Sequence, residues 1–142
     1  MRTRLDPNAR HEMMSRFRKR NSGPELALRR ELRALGVRYS AYPDLFGSPD
    51  IVLKGTRTVI FVHGCFWHGC PHHYRRPQTS QQYWTEKLER NWARDRRVAR
   101  KLRRGGWSVL TVWECEVNRS ARRVAERIFG RANANRHRAQ EL

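Results

Sequence analysis

Apolar residues recur along the chain in two alternating periods, and the changes between them mark out the elements. In SGPELALRRELRALG, residues 22–36, Leu28, Leu32 and Leu35 make one helical stripe, and Glu25 falls on the same face one turn upstream. Ser22 and Glu25 stand in capping-box spacing, Pro24 suits a first turn and Gly36 supplies a stop, so the segment predicts a helix. VRYSAY, residues 37–42, alternates as a strand does. After the turn-rich PDLFGSP come DIVL, a short strand headed by Asp50, a KGTR turn, and the apolar strand TVIFVH over 58–63. Period two sends Val59, Phe61 and His63 to one face of that strand and Thr58, Ile60 and Val62 to the other.

Helical spacing returns from Gln81 to Arg104, where Trp84, Leu88, Asn91, Asp95, Val98 and Leu102 share a stripe that Gly105–Gly106 closes. WSVLTVWE, residues 107–114, predicts another strand, and RSARRVAERIFG, residues 119–130, a final amphipathic helix. Helix, three strands, helix, strand, helix is the order of an α/β domain, a central mixed sheet flanked by helices. That domain is expected over residues 22–130. Residues 1–21 form a basic arm, disordered or ordered by a partner, and residues 131–142 a polar tail expected to fray.

Charge narrows the partner. Lys and Arg number 31 against 13 Asp and Glu, a net +18 over 142 residues, so a phosphate backbone is the expected target. No apolar run reaches the length of a membrane span and the N-terminus lacks the apolar core of a signal peptide, which points to the cytoplasm. In that compartment three cysteines argue for metal binding rather than disulfides.

The candidate chemistry gathers in VIFVHGCFWHGCPHHY. Cys65, Cys70 and His73 are spaced C-x4-C-x2-H, and Cys115 follows the last strand. A Cys3His set suits a closed, tetrahedral, structural Zn2+ that would staple the 64–80 loop to the end of strand 107–114; His72 competes with His73 for the fourth position. Asp50, a second carboxylate at Glu25, and histidines at the end of strand 58–63 could hold Mg2+ and activate water, although Pro-Asp is also a common turn. Asn91 and Asp95 interrupt an apolar stripe. Such residues serve either as a buried cap or ion pair, or face an active site.

The ordered series NSGPE, GSPDIV, VIFVHGCFWHGCPHHY, YWTEKLERNWARDRR and GGWSVLTVWEC resembles the very-short-patch repair (Vsr) DNA mismatch endonucleases, from about Met13 to Glu116. The resemblance implies a divergent restriction-endonuclease-like fold and Mg2+-dependent nicking 5′ of the thymine in a T·G mismatch left by deamination of 5-methylcytosine. It implies that Asp50 is the Mg2+ ligand, joined by the backbone carbonyl of Val62, where some relatives carry threonine. His68 would be the general base, supported by Asp95, and His63 and Glu25 would assist. Phe66 and Trp67 would wedge into the duplex, Trp84 and Asn91 would line the same DNA site, and Met14 would enter from the opposite groove. Zn2+ would sit on Cys65, Cys70, His73 and Cys115. Cleavage of one strand needs only a monomer, and mismatch-repair proteins such as MutL are further partners of interest. Two rivals stand beside this reading. A non-catalytic, zinc-stapled nucleic-acid binder has no use for Asp50, His63, His68 and Asp95 together, and a nuclease of the same fold with another DNA target would differ only in specificity.

Overall fold

The computed structural model of the chain describes residues 21–65, Cys70 and residues 81–141. Helix α1 (Gly23–Ala34) is followed by strands β1 (Tyr39–Ala41), β2 (Ile51–Leu53) and β3 (Thr58–His63). Helix α2 (Gln81–Arg104), strand β4 (Ser108–Trp113) and helix α3 (Glu114–Glu141) complete the order. The sheet runs β1-β2-β3-β4, antiparallel in its first two pairings and parallel between β3 and β4. This is the mixed sheet that the periodicity predicts.

Each face of the sheet has its own core. The inner residues Ile60 and Val62 of β3 pack with Leu28 and Leu32 of α1 and with Val124, Ala125 and Ile128 of α3. On the opposite face Val59 and Phe61 meet Val98 and Leu102 of α2, with Val109 of β4. The two faces of β3 therefore divide as the period-two reading expects, and β3 and its neighbours become the floor of a site on the α2 side.

Terminal signals act where the sequence places them. The Ser22 side chain accepts from the Glu25 amide, and Gly36, at φ +75°, lets the Val37 amide reach the Leu32 carbonyl. Gly106, at φ +89°, gives α2 the same ending, with the Trp107 amide donating to Leu102. Gly47 has a different task. Its φ is +79°, and a Cβ there would overlap Val98 Cγ1, so a glycine lets the loop before Asp50 lie directly on α2.

The C-terminal region departs from expectation. Helix α3 begins at Glu114, directly after β4, and kinks at Ser120, whose backbone is extended at φ −163° and ψ 98°. The Ser120 hydroxyl accepts from the Arg123 amide and so caps a second helical stretch. That stretch runs beyond Gly130, where the tail was expected to fray. Ala132 is buried, and Asn135 donates through Nδ2 to the buried hydroxyl of Thr58 at 3.0 Å. Polar composition conceals this packing, because among the described residues the ordering contacts are one small residue and one long-range hydrogen bond. No helix among the described residues is long and apolar enough to cross a membrane.

Candidate active site and cysteine cluster

Pairing between β2 and β3 ends with Ile51 opposite Ile60, and the Asp50 amide adds one more bond to the Ile60 carbonyl. The next amide along β3 on that side belongs to Val62. It donates to the carboxylate of Asp50 at 2.7 Å, so a side chain takes over where the backbone ladder stops. Asp50 is 6% exposed. In a strand the N–H and C=O of one residue face the same neighbour, so the Val62 carbonyl opens toward Asp50 as its amide does.

Asp50 lines a narrow cleft with Gly47 and Ser48 of the preceding turn, Phe61 and His63 of β3, Arg94 and Asp95 of α2, and Thr111 of β4. His63 is buried between two aromatic rings, 5.9 Å from the Phe61 centroid and 5.5 Å from Trp113. The structure thus brings together Asp50, His63 and Asp95 from three separate elements. The half-buried position of Asp95 follows from its place on the α2 stripe, between buried Leu88 and buried Val98. Asn91 is half-buried one turn earlier, and Lys87 lies over the Trp84 ring at 5.9 Å. Neither Asn91 nor Trp84 lines the cleft among the described residues.

Glu25 is not among the residues that line this cleft. Its carboxylate is 3% exposed and accepts from the Tyr42 hydroxyl and, at 3.2 Å, from the Asn21 amide. Burial pushes its pKa up, against the hydrogen bond from Tyr42. Tyr42 adopts φ +50°, a left-handed conformation unfavourable for a side chain of its size, and its own amide donates to the Asp50 carbonyl at 2.9 Å. A hydrogen-bonded path therefore runs from Glu25 on α1 through Tyr42 to the backbone of Asp50. Tyr42 was absent from the residues singled out in the sequence. Its only local signal, the turn-forming Pro43-Asp44 that follows, says nothing about a carboxylate 17 positions away.

The cysteine cluster forms independently of the cleft. The sulfurs of Cys65, Cys70 and Cys115 all lie within 4.8 Å of one another, with Cys70 and Cys115 3.5 Å apart. A tetrahedral ion with metal–sulfur bonds of about 2.3 Å sets its thiolates roughly 3.8 Å apart, so the donor set and its spacing fit zinc. Burial pushes the Cys65 thiol up to about 12, with a backbone hydrogen bond from Cys115 opposing. Burial raises the Cys115 thiol as well, so both sulfurs favour the protonated form until a cation displaces the proton. In the cleft, by contrast, no three carboxylate or imidazole donors among the described residues converge so closely. Mg2+ commonly takes one or two carboxylates and completes its shell with water and phosphate, and Asp50 with the Val62 carbonyl offers that kind of partial site. Met14, Phe66, Trp67, His68, His72 and His73 lie outside the described residues.

Comparison with known proteins gives the family. Residues 3–76 match the family model described as DNA mismatch endonuclease Vsr. The type II nicking enzyme V.XorIIP of Xanthomonas oryzae pv. oryzae is 43% identical over 122 residues, covering 83% of this chain and 88% of that protein. The DNA mismatch endonuclease Vsr of Escherichia coli K12 is 39% identical over 114 residues, 78% and 72% of the two chains. V.NmeDIP, a type II nicking enzyme of Neisseria meningitidis serogroup C, is 35% identical over 128 residues, 88% and 86%.

The Glu25–Tyr42 contact has a spectroscopic signature. Burial and the Glu25 carboxylate together push the Tyr42 phenol up to about 12. An ultraviolet titration of the tyrosines should show a step near 12. Tyr42→Phe should remove that late step, and Glu25→Gln should move it back toward the ordinary value near 10 by removing the charge. Absence of any step near 12 in the wild type would show that the pair does not exist in solution.

Proposed function

The chain belongs to the Vsr family of DNA mismatch endonucleases, and we propose that it nicks one strand of duplex DNA 5′ of the thymine in a T·G mismatch left by deamination of 5-methylcytosine. The reaction is Mg2+-dependent phosphodiester hydrolysis on a restriction-endonuclease-like fold. The observation that carries this reading is the Asp50 carboxylate, held by the Val62 amide beside His63 and Asp95 in a cleft of a chain bearing +18.

Asp50 and the Val62 carbonyl are the groups that would hold Mg2+, which when bound stabilises charge on the phosphoryl oxygens and acidifies water. His68 is the general base that accepts the proton of the attacking water, and Asp95 steadies the resulting imidazolium. His63 faces the phosphate from the end of β3. Glu25 contributes at a distance, by holding Tyr42 and through it the backbone that carries Asp50. Phe66 and Trp67 stack into the duplex beside the mismatch, with Trp84 and Asn91 along the same DNA face and Met14 from the opposite groove. A T·G wobble is already poorly stacked, so opening it costs less than opening a matched pair. Zn2+ on Cys65, Cys70, Cys115 and His73 would fix the loop that presents His68 and the two aromatics. The protein acts in the cytoplasm, at the nucleoid of a bacterial cell, as a monomer; mismatch-repair proteins such as MutL are candidate partners.

The test is single-turnover nicking of end-labelled duplexes carrying T·G or T·A at one position, in Mg2+ and in EDTA. One cut, 5′ of the mismatched thymine, in Mg2+ only, is expected. Equal cutting of both duplexes would favour a nuclease with another DNA target, and no cutting with tight mismatch binding would favour the non-catalytic binder. Asp50→Asn should abolish nicking while leaving mismatch binding intact, because it removes a carboxylate and adds no bulk.

Zinc is tested separately. Purified protein should contain one equivalent of zinc, and Cys65→Ser or Cys115→Ser should lose it together with thermal stability, since binding energy of the metal is also folding energy. Metal-free wild-type protein with unchanged stability would remove Zn2+ from this proposal.

A further inference from the structure

A second, wider groove of about 730 Å³ adjoins the cleft, between α2 and the edge strand β4. His63, Asp95, Ala99 and Thr111 line both, so the two are continuous. Along α2 the groove is walled by Arg96, Arg100, Arg103 and Arg104, all exposed, and Trp113 of β4 faces them. Arg96, Arg100 and Arg104 follow one another four apart, and Arg103 stands three from Arg100, so the four share one side of the helix.

Two features of this row ask for an anion. Among the described residues no carboxylate forms an ion pair with any of the four arginines. Like charges at this spacing repel one another along the helix. The macrodipole at the end of α2 accounts for Arg103 and Arg104, which stand in its last turn, but Arg96 and Arg100 lie too far inside for that. Eight residues of helix separate Arg96 from Arg104, about 12 Å. That distance matches the axial rise of about three to four phosphates in one strand of duplex DNA.

We propose that this row is a phosphate rail for the duplex arm on one side of the cut, with Arg96 beside the cleft and Arg104 farthest from it. The proposal rests on the reading that the substrate is duplex DNA, and it adds an asymmetry. One arm of the duplex lies along the rail and is needed for affinity; the other makes no use of it. The contacts are to the backbone, so they position the duplex without reading its sequence.

The test uses the full chain and three T·G duplexes, one with two long arms and one each with the left or right arm trimmed. Affinity is measured over a salt series for wild type, for the triple variant Arg96→Gln, Arg100→Gln, Arg103→Gln, and for a control triple of equal charge, Arg30→Gln, Arg119→Gln, Arg123→Gln. Each lost phosphate contact lowers the slope of log affinity against log salt by about 0.9, so the rail variant should lose roughly 3 from that slope and the control less than about 1. Wild type should weaken when one particular arm is trimmed, and the rail variant should be indifferent to that trimming. Equal slope changes in the two triples, or a trimming effect that persists in the rail variant, would overturn the rail. A matched T·A duplex separates the two readings. If it binds with the same slopes and wild type nicks neither duplex, the mismatch reading fails while the rail stands.

Discussion

The hydrogen bond from the Val62 amide to the Asp50 carboxylate is the contact on which the site depends. At this point β2 has run out, and without Asp50 a buried strand amide would face no acceptor, at a cost of about 1–3 kcal/mol. The bond fills that vacancy and, in doing so, pins a carboxylate at the end of the sheet. One interaction thus completes the end of the sheet and fixes the proposed metal ligand. Gly47 allows the preceding turn to lie on Val98, and Tyr42 holds the Asp50 carbonyl from the other side, so both ends of this short segment are set by tertiary contact.

The three cysteines do for the C-terminal end of the sheet what Asp50 does for β2. Cys115 stands where β4 passes into α3, and Cys65 and Cys70 stand just after β3. Because β3 and β4 are parallel neighbours, both ends arrive on the same side of the sheet, where the three sulfurs meet. Parallel pairing also brings His63 level with Trp113, which closes one side of the imidazole's surroundings and opens the other to the arginine-walled groove.

What the sequence discloses here is what is local or periodic. The two faces of β3, the inward stripe of α2 with Asp95 on it, the glycine stops at Gly36 and Gly106, and the cysteine set all follow from spacing, and the structure shows each. What it conceals depends on contacts between distant segments. The Glu25 carboxylate reads as a capping residue, yet it also accepts from Tyr42, and neither residue's neighbours in sequence announce the other. The extension of α3 to Glu141 hides behind polar composition, since Ala132 and Asn135 are ordered by what they touch rather than by their own hydrophobicity. The groove residues were missed for a related reason. The stripe that packs α2 against the sheet draws the eye inward, and the arginines that wall the groove sit on a neighbouring face that hydrophobic periodicity does not score.

In the proposed reaction Asp50 would hold a divalent ion beside the scissile phosphate. The most direct measurement replaces each non-bridging oxygen of that phosphate in turn by sulfur, in a T·G duplex, and follows single-turnover nicking in Mg2+ and in Mn2+. If Asp50 holds the ion that supports the reaction, one sulfur diastereomer should be nicked slowly in Mg2+ and recover in Mn2+, which tolerates the softer ligand better. Nicking of both diastereomers in Mg2+ at the rate of the unmodified phosphate would contradict it.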